Sequence, residues 1–232
     1  SGAGGVTSNV ATALTLSGNN TYTGITRLLG NGGVLSISDI ANGGVASNIG
    51  AATSAATNLS ITNLATLRYI GTGASTDRLF EIPSGTANPV ATIEASGTGA
   101  IVFTNTGSMG FGGGSGVRTL VLGGANTQNN TMTPLIGDSG GATTLTKSGV
   151  GTWVLAGTNS YTGVTTINGG VLTVSSLANG GSNSNIGASS NAATNLVLNG
   201  GMLKYTGGAG STDRLFSVGT GGGTLDSSGT LG

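Results

Sequence analysis

The strongest constraint on this chain is that its text occurs nearly twice. The run Gly18-Asn19-Asn20-Thr21-Tyr22-Thr23-Gly24 is answered by Gly157-Thr158-Asn159-Ser160-Tyr161-Thr162-Gly163, an offset of 161 − 22 = 139. Val34-Leu35 is answered by Val171-Leu172 at 171 − 34 = 137, which leaves a two-residue insertion around Leu28-Leu29-Gly30. The match continues through Asn48-Ile49-Gly50-Ala51 with Asn185-Ile186-Gly187-Ala188, and reaches Ser75-Thr76-Asp77-Arg78-Leu79-Phe80 with Ser211-Thr212-Asp213-Arg214-Leu215-Phe216. The opening Ser1-Gly2-Ala3-Gly4 is read against Ser148-Gly149-Val150-Gly151. Self-similarity at a long fixed period is the mark of a solenoid, in which each unit buries its apolar face only by stacking on its neighbour. The expected organisation is a first super-repeat at 1–147 and a second, incomplete one at 148–232, sharing one continuous elongated core. A chain that starts in mid-repeat reads as a fragment of a longer protein.

Within a unit the pattern is that of strands. Residues 145–174 hold three short apolar runs alternating with Thr and Ser, split by glycine turns, which leaves no room for a helix. Further strands are expected at 14–16, 25–29, 34–37, 59–61, 67–70, 79–82, 90–93, 101–103, 120–122, 196–198, 202–205, 215–218 and 224–226. Asn-Gly-Gly at 31–33, 42–44, 168–170, 179–181 and 199–201 supplies corners, where glycine takes positive torsion angles cheaply. The fold class that follows is all-β: a right-handed parallel β-helix (β-solenoid) with Gly/Asn-rich turns. At about twenty to thirty residues per coil, the chain makes eight to eleven coils and a rod of roughly 40–50 Å. Residues 41–58 and 178–195, rich in Ala, Ser and Asn, are the least strand-like and are expected to form a regular lateral feature, with a helical turn or loop at 51–56.

Composition narrows the function. Glycine supplies 47 of 232 residues without a three-residue period, which excludes collagen. Only 6% of residues are charged, seven basic against seven acidic, and the cations are scattered singly, so no basic patch offers itself to nucleic acid or anionic lipid. Net charge near zero removes a repulsion between copies and makes end-to-end self-association a candidate property. No apolar run approaches the length of a membrane span, so no insertion by this segment is expected.

The candidate chemistry is thin. Gly137-Asp138-Ser139-Gly140-Gly141 mimics a serine-protease nucleophile, but the chain has no histidine to act as its base. Asp77, Glu81 and Glu94 invite a search for a glycosidase pair, yet Glu81 becomes Ser217 in the second unit. Absent His and Cys, and with no calcium nonapeptide, no metal or other cofactor is expected. Gly112-Gly113-Gly114-Ser115-Gly116 lacks the Lys-Ser/Thr of a phosphate loop. The residues singled out are therefore structural: Tyr22 and Tyr161 as caps on a coil end, Asn42 and Asn179 at corners, and Asp77-Arg78 with Asp213-Arg214 as a repeated ion pair or corner clamp. Trp153, Tyr69 and Tyr205 join the two capping tyrosines as possible stacking platforms for sugar rings.

The stretch 145–174, of the form Leu-x-Lys-x-Gly-x-Gly-x-x-x-Leu-x-Gly-x-Asn-x-Tyr-x-Gly, resembles the passenger-associated repeat of bacterial autotransporters, and residues 14–37 resemble it in part. The resemblance implies a secreted β-helical stalk at the cell surface, not an enzyme, that displays or spaces other domains of a large adhesin. Host-cell or matrix glycans and proteins are the partners that such a role implies. A self-assembling filament or sheath subunit and a carbohydrate-binding β-helix are the alternatives.

Overall fold

The computed structural model describes residues 2–9, 11–29, 32–62, 64–83, 88–113 and 115–228. Asn31 of the first Asn-Gly-Gly corner, Gly30 of the insertion, Gly114 of the glycine-rich loop, and the chain ends at Ser1 and Gly232 lie outside them. The strands form three parallel sheets, all pairings running between successive coils. The first sheet holds Val6–Asn9, Thr26–Leu29 and Leu59–Ile61. The second holds Ala13–Leu16, Val34–Ile37, Thr66–Tyr69, Val90–Ala95, Arg118–Gly123, Thr143–Lys147, Thr165–Ile167, Leu196–Leu198 and Ser217–Val218. The third holds Thr72–Thr76, Gly99–Phe103, Asn130–Met132, Thr152–Leu155, Val171–Val174, Met202–Tyr205 and Thr224–Asp226. Beyond Leu59–Ile61 the first face continues through single bridges, Ser60 to Glu81, Glu81 to Gly110 and Ser108 to Leu135. This is a three-faced parallel β-helix. Eight steps along the nine-stranded sheet give it a length of about 38 Å.

Coil length varies. Leu145 pairs with Thr165, 165 − 145 = 20 residues on, whereas Leu35 pairs with Leu67, 67 − 35 = 32 residues on. The extra residues leave the faces as loops, so strand register survives. Burial alternates along strands such as Val90–Ala95, Gly99–Phe103 and Thr143–Lys147, while Val34–Ile37, Leu59–Ile61 and Val171–Val174 are covered at consecutive positions, and parallel in-register stacking turns every inward position into a ladder. Leu14, Leu35, Leu67, Ile93, Leu122, Lys147, Ile167, Leu198 and Val218 stand one above another on the second face. Phe103, Met132, Leu155 and Val174 do the same on the third, and Phe80 meets Phe103 edge to face at 6.2 Å. One apolar cluster runs from Leu28 to Leu203. Burying each Leu or Ile stabilises by about 1.5–3 kcal/mol.

Some sequence expectations need correction. Residues 79–82 are not a strand: only Glu81 bridges its neighbours there. Residues 215–218 pair only through Ser217–Val218. Val6–Asn9, Thr72–Thr76 and Asn130–Met132 are strands without the expected apolar run, held by neighbours that do have it. The helical turn falls on Ala56–Asn58 and Ala193–Asn195 rather than on 51–56. The opening also aligns differently. Gly24 N donates to Gly4 O as Gly163 N donates to Thr143 O, so Gly4 answers Thr143 and not Gly151.

The core holds polar groups that alternation alone does not foresee. Lys147, fully buried, replaces an aliphatic rung, and its Nζ donates to Ser148 O at 2.7 Å, Gly149 O at 2.9 Å and Gly169 O at 3.0 Å. Three donors meet three corner carbonyls from two successive coils. Arg118, equally buried, donates from Nε to Ile82 O and from Nη1 to Gly116 O and Ser139 O, and lies 5.1 Å over the Phe111 ring. Asn130 fills a rung below Trp153, accepting from Ile101 N and donating to Thr152 O.

Corners also bring backbone against backbone. A Cβ on Gly124, at φ +104°, would lie 2.0 Å from Ala95 O of the coil below. Gly124→Ala is therefore expected to lower the unfolding free energy by about 2–4 kcal/mol in a denaturant titration, since strain and a backbone clash act together. Burial brings the Lys147 pKa down to about 8 from 10.5. Between those values the unfolded chain holds a proton that the folded chain has released, so stability rises with pH. The expected gain is on the order of 2 kcal/mol between pH 8 and 10. Denaturation midpoints measured across that range should climb for the native chain and stay flatter in Lys147→Met.

Candidate functional site

The two lateral loops, 41–58 and 178–195, are where the rod departs from its regular section, and the same set of side chains anchors both. Asn48, buried, accepts at Oδ1 from Ser38 N and Asp39 N and donates to Gly18 O of the coil below. Asn185 repeats this with Ser175 N, Ser176 N and Gly157 O. Asn20 Nδ2 in turn donates to Asn48 O at 2.7 Å, as Asn159 Nδ2 does to Asn185 O at 2.6 Å. A carboxamide carries both donors and acceptor, so one side chain can close a turn and tie it to the next coil.

Tyr22 and Tyr161 sit at the base of the loops. Each hydroxyl bonds a threonine four residues on, Tyr22 to Thr26 and Tyr161 to Thr165, both at 2.8 Å. Their backbone carbonyls accept from Ala51 N and Ala188 N at 2.7 Å. Gly50, at φ +76°, packs flat on the Tyr22 ring, where a Cβ would fall 2.7 Å from a ring carbon. Tyr161 is fully buried and Tyr22 half-buried, and burial raises the pKa of both phenols.

Asp77 and Arg78 close the clamp from the coil above. They do not pair with each other, and the ion pairs among the described residues are Arg68–Glu94 and Lys204–Asp226. Asp77 Oδ1 accepts from Gly43 N at 2.7 Å while Asp77 N donates to Asn42 Oδ1 at 2.9 Å. Arg78, buried, donates from Nε to Ala41 O and from Nη2 to Val45 O and Gly50 O. In the second unit Asp213 accepts from Gly180 N and donates to Asn179 Oδ1, and Arg214 donates to Ala178 O, Ser182 O, Ser189 O and Gly187 O. Burial lowers the pKa of both guanidinium groups. Thus Tyr22, Asn42, Asp77 and Arg78 meet on one loop, and Tyr161, Asn179, Asp213 and Arg214 on the other. Asn48 and Asn185, which bond both their own turn and the coil below, are not among the residues the sequence singles out; a buried asparagine in a polar loop has no composition signal.

The remaining candidates have structural surroundings. Asp138 braces its turn by accepting from Thr143 N, Thr162 N and Thr162 Oγ1. Glu94 is paired with Arg68 at 2.6 Å. Trp153, Tyr69 and Tyr161 are buried and present no ring to solvent, and Trp153 Nε1 donates to Gly123 O. Tyr22 and Tyr205 are half-buried. Among the described residues no three His, Cys, Asp or Glu side chains gather as a metal site.

A passenger-associated-transport-repeat family model matches residues 11–37 and 145–174. The chain is 53% identical over 148 residues to the adhesin BmaC autotransporter of Brucella suis biovar 1 (strain 1330). That alignment covers 63% of this chain, and the chain spans about 4% of the length of that curated relative. No solved structure matches it.

The clamp has a measurable role. A lysine has one donor group where Arg78 spreads three bonds over two nitrogens, so Arg78→Lys leaves loop carbonyls unpaired. The expected outcome is a loss of about 2–3 kcal/mol and faster amide exchange at Gly43 and Val45 in hydrogen-exchange mass spectrometry. Arg214→Lys, at a half-buried position, is expected to lose less.

Proposed function

We propose that this chain, a carrier of two autotransporter passenger repeats, is a stalk segment of a large bacterial surface adhesin, lying outside the cell and spacing or displaying other parts of the protein. The observation that carries the reading is the unbroken nine-strand parallel sheet over one core. A structure whose side-chain hydrogen bonds go into corners and loop anchors, with Asp77, Asp138 and Asp213 bonded to turn amides and Glu94 to Arg68, suits a spacer and not a catalyst. The two super-repeats, the second opening with Thr143–Lys147 as the counterpart of Val6–Asn9, are then lengths of one rod rather than separate domains. Host or matrix ligands would be met by the display elements it carries.

A second reading, a self-assembling fibre built from copies of the chain, rests on its balanced charge, seven basic residues against seven acidic, which removes a repulsion between copies.

Electron microscopy of the purified chain over a concentration series separates the two. Single short rods of about 40 Å at every concentration are expected. Filaments that lengthen with concentration would replace the stalk by the self-assembling fibre.

A further inference from the structure

Equivalent strands of the two units do not lie on the same face. Thr26–Leu29 and Leu59–Ile61 belong to the first sheet, but their counterparts Thr165–Ile167 and Leu196–Leu198 belong to the second. Ala13–Leu16, Val34–Ile37 and Thr66–Tyr69 belong to the second sheet, but their counterparts Thr152–Leu155, Val171–Val174 and Met202–Tyr205 belong to the third. Val6–Asn9 in the first sheet is answered by Thr143–Lys147 in the second. Every shift is one face in the same sense.

The loops follow. Thr76, ending a third-sheet strand, donates from Oγ1 to Ala41 O, so the first loop lies under the third face. The second loop bridges through Ser184 to Asn159, whose Oδ1 accepts from Ile136 N, next to Leu135 on the first face. The period can be counted on the second sheet. From Ala13–Leu16 it takes five steps to reach Thr143–Lys147, after which the chain passes to the third sheet at Thr152–Leu155.

We infer that one sequence unit spans five coils and one further face, so that each lateral loop is carried a third of a turn round the rod from its predecessor. The rise per unit is about 26 Å. In a chain with further units of this spacing, loops face the same way again after three units and sixteen coils, about 77 Å along the axis. A flat partner surface lying beside the rod therefore meets the loop of one unit and not that of the next, and loops present themselves on all sides. That use in display rests on the stalk reading; the rotation itself rests only on strand register.

The chain has no cysteine, so introduced cysteines can carry spin labels at chosen sites. Thr15, Ser36, Arg68, Glu94 and Gly123 form one column on the second sheet, continued by Ser148, whose hydroxyl lies over Gly123, whereas Val154, the sequence counterpart of Thr15, is on the third sheet. Double electron–electron resonance on Thr15→Cys/Ser148→Cys should give about 24 Å, five coil steps, and Thr15→Cys/Val154→Cys should give a longer distance. A Val154 distance equal to or shorter than the Ser148 distance overturns the rotation. The loop pair Val45→Cys/Ser182→Cys, at exposed turn positions, reads the same question independently. It should exceed the roughly 26 Å axial rise, and a separation at that value places both loops on one face and overturns it. Neither measurement depends on whether the chain is a stalk or a fibre.

Discussion

A parallel β-helix pairs its backbone only along its faces, and at every corner the ladder breaks. The carbonyls exposed there, inside a rod with little room for water, must find donors, because an unpaired buried polar group is costly. Much of this molecule answers that one demand. Lys147, Arg78 and Arg118, among the few charges the chain has, are all turned onto corner or loop carbonyls. Asn48, Asn185, Asn20 and Asn159 serve the loops in the same way. The scarcity of charge on the outside and the placing of cations within belong to one pattern.

The second constraint is distance. Coils about 4.8 Å apart leave no space for side chains where corners stack, so glycine is required at positions such as Gly124 for want of room and at Gly50 for both torsion angle and contact with Tyr22. The high glycine content is therefore the composition of a tightly stacked corner, not of a flexible linker. Between corners the faces are free to be Thr-rich outside and aliphatic inside, and Thr119 and Thr144 join hydroxyls at 2.9 Å across coils.

The faces were legible in the sequence because alternation is a local property: 14–16, 34–37 and 171–174 announce themselves. Thr72–Thr76 was not, since Thr-Gly-Ala-Ser-Thr buries little and becomes a strand because Gly99–Phe103 pairs with it. Residues 79–82 look apolar enough for a strand, yet Leu79 and Phe80 fill a corner. The duplicated Asp-Arg dipeptide was legible as important, and its geometry was not: adjacent opposite charges suggest each other as partners, whereas both reach back more than thirty residues to the preceding loop. Lys147 is the clearest limit of local reading. Its rung position follows alternation, but nothing nearby in the sequence announces the Gly169 carbonyl that comes over it one coil later.

The direction of the ladder hydrogen bonds has a mechanical consequence. They run along the rod axis, between coils, so a pull on the two chain ends loads successive coil interfaces in series, and the outermost coil peels first. Each peeled coil releases a contour of some tens of ångströms, about 3.3–3.6 Å for every residue it contained, and long coils with lateral loops release more than short ones. The clamps of Arg78 and Arg214 tie a loop to the following coil, so each loop-bearing coil is fastened to its neighbour by side chains as well as by backbone. A rod built this way lengthens under load in unequal steps, with its loop anchors as the catches.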